Sequence, residues 1–179
     1  MRKRYKSSDI PSLINKPIFF DANVILYIFW PTGNNVFANL YSSIFSRLLK
    51  NKNLLFVNFT VLSEVINRAV RIEYGKYIQL NSLDTIQFKY KDFRDSNDGK
   101  EAIEDINQVL QSYVLSKFEL TNSQLSKNDI IGFLRTGQLD FCDRAIEYDC
   151  RVNDFILVTN DSDFGESELD ILTANNKLF

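Results

Sequence analysis

Residues 17–27 read Pro17-Ile18-Phe19-Phe20-Asp21-Ala22-Asn23-Val24-Ile25-Leu26-Tyr27. Ile18 to Phe20 form a short apolar run without a polar interruption. That pattern predicts a strand buried on both faces, as in the middle of a parallel sheet. The run ends in a carboxylate. A charge at the exit of a buried strand is costly unless something compensates it, and the carboxyl ends of strands in an open α/β sheet are where ligands bind. Taken alone, Asp21 reads equally as the cap of the helix or turn that follows. Three more carboxylates in matching contexts tilt the reading toward a site.

At 179 residues the chain is expected to form a single domain over 1–179, large enough to bury a real core. Its 45% hydrophobic and 25% charged residues are ordinary for a soluble globular protein. With 21 basic and 23 acidic residues the formal net charge is -2, which argues against a simple electrostatic binder of nucleic acid. It does not argue against an enzyme whose metal ions meet a phosphate. There is no histidine, which removes His-based triads, imidazole zinc sites and histidine general bases. Any chemistry must use carboxylates, hydroxyls, amides, Lys or Arg. Cys142 and Cys150 lack metal or disulfide spacing and read as reduced thiols, which suits a cytoplasmic protein. Residues 1–16 open with Met1-Arg2-Lys3-Arg4-Tyr5-Lys6, a basic arm expected to be a solvated terminus, with no signal-peptide core behind it. No stretch reaches membrane-spanning length, so no membrane partner is expected.

Downstream of the first strand, Pro31-Thr32-Gly33-Asn34-Asn35 is turn chemistry. Phe37, Leu40, Tyr41, Ile44, Phe45, Leu48 and Leu49 then fall at helical spacing with a wide core face. Leu54-Leu55-Phe56-Val57 reads as the second buried strand, completing a βαβ unit with parallel pairing. Asn58 or Thr60 caps the next helix, which carries Val61, Leu62, Val65, Ile66, Ala69 and Val70 on its packed face and Glu64 off it. The helix dipole favours an acid there, but a helix start after a parallel strand is also the rim of the carboxyl-end crevice. Residues 72–117 stay helical, more polar, and broken at Asp95-Ser96-Asn97-Asp98-Gly99. Their aromatics (Tyr74, Tyr77, Phe88, Tyr90, Phe93) read first as packing or interface.

Phe118-Glu119-Leu120 is expected to be a short edge strand, and Thr121 to cap a helix through Leu134. Leu139 to Tyr148 opens another helix, with Asp140 as its cap and Asp143 in its first turn; one of the two acids can be purely structural. Phe155-Ile156-Leu157-Val158 is a buried strand running into Thr159-Asn160-Asp161-Ser162-Asp163, which repeats the logic of the opening stretch. Leu169 to Leu172 is the last expected strand.

Asp21 and Asp161 thus end buried strands while Glu64 and Asp143 start helices, and in a doubly wound sheet all four can reach one crevice. Two bare carboxylates about 4 Å apart repel by roughly 4 kcal/mol at an effective dielectric of about 20, so such a cluster calls for protonation or cations. Hard oxygen donors without His or Cys select Mg²⁺ or Mn²⁺, and such a cation suits phosphodiester hydrolysis. Asn23 and Thr159 can position water or phosphate. Arg68 and Arg144 can hold flanking phosphates, with exposed ion-paired arginines as the equal alternative.

In this order, Phe20-Asp21-Ala22-Asn23-Val24-Ile25-Leu26, Glu64, Asp143-Arg144-Ala145-Ile146 and Leu157-Val158-Thr159-Asn160-Asp161-Ser162-Asp163-Phe164 resemble the PIN-domain nucleases, most nearly the VapC-type toxins of toxin–antitoxin pairs. The 161 − 143 = 18 positions between the last two acids are similar to that family's spacing, which favours Asp143 over Asp140 and Asp161 over Asp163. The resemblance implies a three-layer α/β fold with a parallel sheet of about five strands flanked by helices. It also implies Mg²⁺- or Mn²⁺-dependent endoribonuclease activity on RNA, frequent homodimers, and inhibition by a cognate antitoxin. Residues 72–117 and the basic arm exceed the compact members of that type. Other branches imply a ribosomal RNA precursor or structured DNA as substrate. A non-catalytic RNA-binding module and a phosphatase with Asp21 as nucleophile are the remaining readings.

Overall fold

The computed structural model describes residues 2–31, 36–121 and 123–179; the turn expected at Thr32 to Asn35 lies outside them. In chain order the elements are β1 (Arg4–Tyr5), β2 (Pro17–Phe20), α1 (Ala22–Phe29), α2 (Val36–Lys50), β3 (Leu54–Val57), α3 (Phe59–Leu80), α4 (Tyr90–Asp95), α5 (Asn97–Val109), β4 (Glu119–Leu120), α6 (Lys127–Phe133), α7 (Phe141–Val152), β5 (Ile156–Val158) and β6 (Ile171–Leu172). The chain divides into two compact units, residues 1–62 with 118–179 and residues 63–117.

All six strands of the first unit pair in parallel, in the order β1-β6-β5-β2-β3-β4. Helices form the crossovers from β2 to β3 and from β3 to β4, whereas β5 reaches β6 through the 3-10 turn Ser162–Glu166. From β2 the chain builds outward through β3 to β4, then returns to the other side of β2 with β5. Phe20 is therefore in register with Val158. The β2–β5 boundary is where the winding reverses, and both strands run their carboxyl ends to it.

Ile18, Phe19, Phe20, Leu157 and Val158 are fully buried, which confirms the two-faced burial expected from uninterrupted apolar runs. Neighbouring strand residues point to opposite faces. Phe19 accordingly meets Phe155, at 6.0 Å between ring centroids, while Phe20 meets Phe118 edge-on at 5.1 Å. Phe118 stacks on Phe45 of α2 at 5.7 Å. Each such ring stabilises the fold by about 1.5–3 kcal/mol through burial. The apolar face of α2 is narrower than the pattern expects: Tyr41, Ile44 and Leu48 are buried, whereas Leu40 and Leu49 are exposed.

Two expectations are corrected. The N-terminal arm is not a solvated terminus: Arg4 and Tyr5 pair with Ile171 and Leu172 as a short edge strand of the expected parallel sheet. The Arg4 guanidinium donates to the carbonyls of Leu169 at 2.6 Å, Ser167 at 2.8 Å and Gly165 at 3.2 Å, so the basic side chain satisfies a loop with no strand partner of its own. Also, Thr121 does not cap α6. Its N–H donates to the Val57 carbonyl and extends the β4 ladder, while Ser126 and Asp129 form the reciprocal capping box of α6.

The second unit is helical. Its aromatics pack on one another, with Tyr77–Phe93 at 5.2 Å, Tyr77–Phe88 at 5.6 Å and Tyr74–Phe93 at 5.8 Å, and the Tyr74 hydroxyl donates to the Phe88 carbonyl at 2.7 Å. Gly99 in the first turn of α5 lies so close to the Phe93 carbonyl that a Cβ would overlap its oxygen, and only glycine allows the α4–α5 corner. Among the described residues no helix is long and apolar enough to cross a membrane.

Candidate active site

Asp21 is the first residue beyond β2. It occupies the N-cap position of α1, yet its side chain makes no capping hydrogen bond. The carboxylate turns instead to β5: the Thr159 hydroxyl donates to Oδ2 at 2.6 Å across 138 residues of sequence, and the Asn23 amide donates to the same oxygen at 2.5 Å. Asp21 and Thr159 are both buried. Two donors aimed at one oxygen offset the cost of burying the charge.

The loop after β5 is held to the same point. Asp161 donates its backbone N–H to Thr159 Oγ1 at 2.9 Å, and the Asn160 N–H donates to Asn23 Oδ1 at 3.1 Å. The Asp161 carboxylate caps the short 3-10 turn Ser162–Glu166 by accepting from the Asp163 N–H at 2.9 Å. Asp161 is half-buried and Asp163 exposed.

Asp140 and Asp143 form a reciprocal capping box at the start of α7. Asp140 accepts from the Asp143 N–H at 2.9 Å, and Asp143 accepts from the Asp140 N–H at 3.2 Å. Asp143 nonetheless differs from an ordinary cap. Burial pushes its carboxyl up to about 7 against the pull of the Asp140 N–H, and the charges of Asp140, Asp21 and Asp161 push the same way. That places Asp143 within the electrostatic reach of acids that end both β2 and β5.

Glu64 and Arg68 belong to the second unit and form an exposed i,i+4 ion pair on α3 at 2.9 Å, so Arg68 takes the ion-paired alternative. Arg144, adjacent to Asp143, forms no ion pair among the described residues; its Nε donates to the Leu139 carbonyl at 3.1 Å.

Tyr41 is a part of this assembly that the sequence pattern conceals, because a tyrosine on the apolar face of a helix reads as core. Its buried hydroxyl lies 3.0 Å from both the Thr159 carbonyl and Asn160 Oδ1, and accepts from the Ala174 N–H at 3.1 Å. It ties together the loops that follow β5 and β6.

The donors gathered at the β2–β5 boundary are all hard oxygens, which fits Mg²⁺ or Mn²⁺ and no softer ion. Among the described residues no three His, Cys, Asp or Glu side chains are grouped closely enough to hold one ion as they stand. The fit therefore rests on donor chemistry and on the mutual repulsion that a cation would relieve. A cleft of about 670 Å³ opens at the opposite, amino ends of the strands, between Arg2, Lys16, Arg151 and Asp170. It lies away from the switch point and shares none of the acids above.

No family model matches the chain, and no curated protein matches its sequence. Among solved structures, a chain of VapBC2 from Rickettsia felis, bound to a DNA fragment from the promoter of that pair, is similar with a TM-score of 0.51 and 16% identity. The match covers 87% of this chain and 97% of that one. The shared property is the fold: a parallel sheet flanked by helices, as the PIN-domain resemblance implies.

Proposed function

We propose that the chain is a PIN-type endoribonuclease that hydrolyses RNA phosphodiester bonds with Mg²⁺ or Mn²⁺, and that it is the toxin of a type II toxin–antitoxin pair. The observation that carries this reading is the joining of Asp21 to Thr159 at the β2–β5 reversal, with Asp161 on the same hydroxyl and Asp143 charge-coupled to both acids. The fold likeness to VapBC2 supports the class.

Asp21, Asp143 and Asp161 are the carboxylates that would hold the ion, and the resemblance adds Glu64; Asp140 and Asp163 are second choices. A bound divalent cation supplies Lewis acidity toward the phosphoryl oxygen and neutralises charge. Thr159 and Asn23 fix the Asp21 carboxylate in one orientation, which is the preorganisation such a site needs. Asp143, which keeps its proton until about pH 7, must release it to serve as a donor. Arg144 stands next to it and can take a flanking phosphate. A cytoplasmic location, a homodimer and a cognate antitoxin complete the reading.

The test is Asp21→Asn. Purified variant and wild type are given single-stranded RNA, tRNA and flapped DNA with Mn²⁺ or Mg²⁺. The expected result is RNA cleavage by the wild type alone, both proteins being folded, with the cation raising the wild-type melting temperature far more than that of the variant. Wild-type cleavage by purified Asp21→Asn overturns the reading. The absence of any divalent-ion binding heat in the wild type would turn it into a non-catalytic RNA-binding module.

A further inference from the structure

We propose that the groove between α6 and α7 is a binding track for the backbone of single-stranded RNA leading away from the cleavage site, with Arg135, Arg144 and Arg151 on successive phosphates. That the nucleic acid is the enzyme's substrate rests on the nuclease reading; that the groove binds it does not.

The groove encloses about 270 Å³ and is lined by these three arginines with Tyr148, Asp129 and Glu147. Both acids make hydrogen bonds outside the groove, although the charge of Asp129 also acts on Arg151. Asp129 closes the α6 capping box with Ser126, and Glu147 accepts from the Ser167 hydroxyl at 2.6 Å. Among the described residues none of the three guanidinium groups forms an ion pair. In a chain with a net charge of -2, three guanidinium groups against two carboxylates leave this groove with a local positive excess that favours an anion.

Arg144 is also held in place. Its Nε donates to the Leu139 carbonyl, and its guanidinium crosses Gly137 so closely that a Cβ there would collide with Nη2. Any larger residue at 137 displaces it. Arg144 directly follows Asp143 in the first turn of α7, so this end of the groove lies at the helix end that carries the candidate acids. Arg144 further lines a smaller hollow of about 180 Å³ that includes Asp163.

Arg144, Tyr148 and Arg151 are spaced i, i+4, i+7 along one face of α7. The two arginines are about 10 Å apart along the helix axis, too far for one phosphate to bridge. Tyr148 stands between them, with the Arg151 guanidinium 5.9 Å from its ring centre and Phe133 edge-on at 5.8 Å. Cation, aromatic ring, cation is the order in which a single strand presents phosphate, base, phosphate. An acidic peptide would satisfy the arginines but bring no base to add to the contacts that Arg151 and Phe133 already make with the ring.

The experiment measures anisotropy of a fluorescein-labelled 2′-O-methyl RNA oligonucleotide, which resists hydrolysis, in EDTA over a range of salt. Arg135→Gln/Arg144→Gln, which leaves untouched the Arg151 that also lines the far-end cleft, and Tyr148→Leu are compared with the wild type and with Arg2→Gln/Lys16→Gln, which removes two cations from that cleft. Melting temperatures verify that each variant is folded. The double groove variant is expected to bind roughly tenfold more weakly, with the slope of log K against log salt reduced by about 0.7 for each phosphate that is no longer neutralised. Tyr148→Leu is expected to weaken binding with the slope unchanged, and the far-end variant to bind as the wild type does. The proposal is overturned if the groove variant keeps wild-type affinity and slope, if the far-end variant loses as much, if the wild type does not bind the oligonucleotide, or if duplex DNA or an acidic peptide binds the groove more tightly. Groove-dependent binding without divalent-ion-dependent cleavage would sink the nuclease reading and leave the track. Metal-dependent cleavage with wild-type binding by the groove variant would do the reverse.

Discussion

Replacing Asp143 by Asn should make the metal-free protein more stable at pH 8 while leaving it almost unchanged at pH 4. In the unfolded chain this carboxyl titrates near 3.8; in the fold, burial and the charges of Asp140, Asp21 and Asp161 move it to about 7. The native state therefore binds the proton more tightly than the unfolded state does. Below pH 4 both states are protonated and Asp143 costs nothing. As the pH rises from about 4 to about 7 the unfolded chain ionises first, so stability falls, and above 7 the loss is complete. A shift from 3.8 to about 7 corresponds to about 4 kcal/mol. Asp143 is half-buried, and solvent screening reduces this to about 1–3 kcal/mol. Asn keeps a side-chain oxygen for the Asp140 N–H but cannot ionise. Urea unfolding of both proteins in EDTA at pH 4, 5, 6, 7 and 8 gives the difference in free energy directly, with all other titrating groups common to both. A gap that opens between pH 4 and 7 and then levels off is the expected result. A gap independent of pH would refute the claim that burial and neighbouring acids hold the Asp143 carboxyl up, and the case for a cation there would lose its main electrostatic support.

Tyr41→Phe keeps the ring but removes the acceptor of the Ala174 N–H and the hydroxyl at Asn160 Oδ1, so it should cost about 1–3 kcal/mol in denaturant unfolding. Because the Thr159 carbonyl is released too, the proposed nuclease activity predicts that turnover falls more than substrate affinity. Asn58→Ala removes both the cap of α3, where Asn58 accepts from the Val61 N–H at 2.8 Å, and the 2.7 Å donor to the buried Asp149 carboxylate. A loss of about 2–4 kcal/mol is expected, partly restored by Asp149→Asn, as read from the urea midpoint. Arg4→Lys cannot span the carbonyls of Leu169, Gly165 and Ser167 at once and should lower stability by about 1–2 kcal/mol, with faster hydrogen exchange at Ile171 and Thr173.

Much of the fold was legible in the sequence because strand burial and helix amphipathicity are local patterns. The runs at Ile18, Leu54 and Ile156 lie where strands form, and the acids that follow the first and the last of them lie at strand exits. The α6 boundary was legible too, had Ser126-Lys127-Asn128-Asp129 been preferred to Thr121 as the cap signal. The sixth strand was not. Arg4-Tyr5 has no apolar run, and it forms a strand only because β6 offers an unpaired edge and the loop before it offers carbonyls to a guanidinium. Tyr41 was hidden for a related reason: its ring obeys the helical pattern, while the role of its hydroxyl depends on two loops more than 110 residues away.

The sequence by itself determined which segments are strands and helices, and that acids stand at their ends, because those features depend on neighbours within a few residues. Only the tertiary structure decided which of these acids, caps or not, share a charge field. The return of β5 to the side of β2 brings Thr159 onto Asp21, and burial together with the charges of Asp21 and Asp161 raises the Asp143 carboxyl. Both are long-range consequences of winding order, which no local spacing encodes.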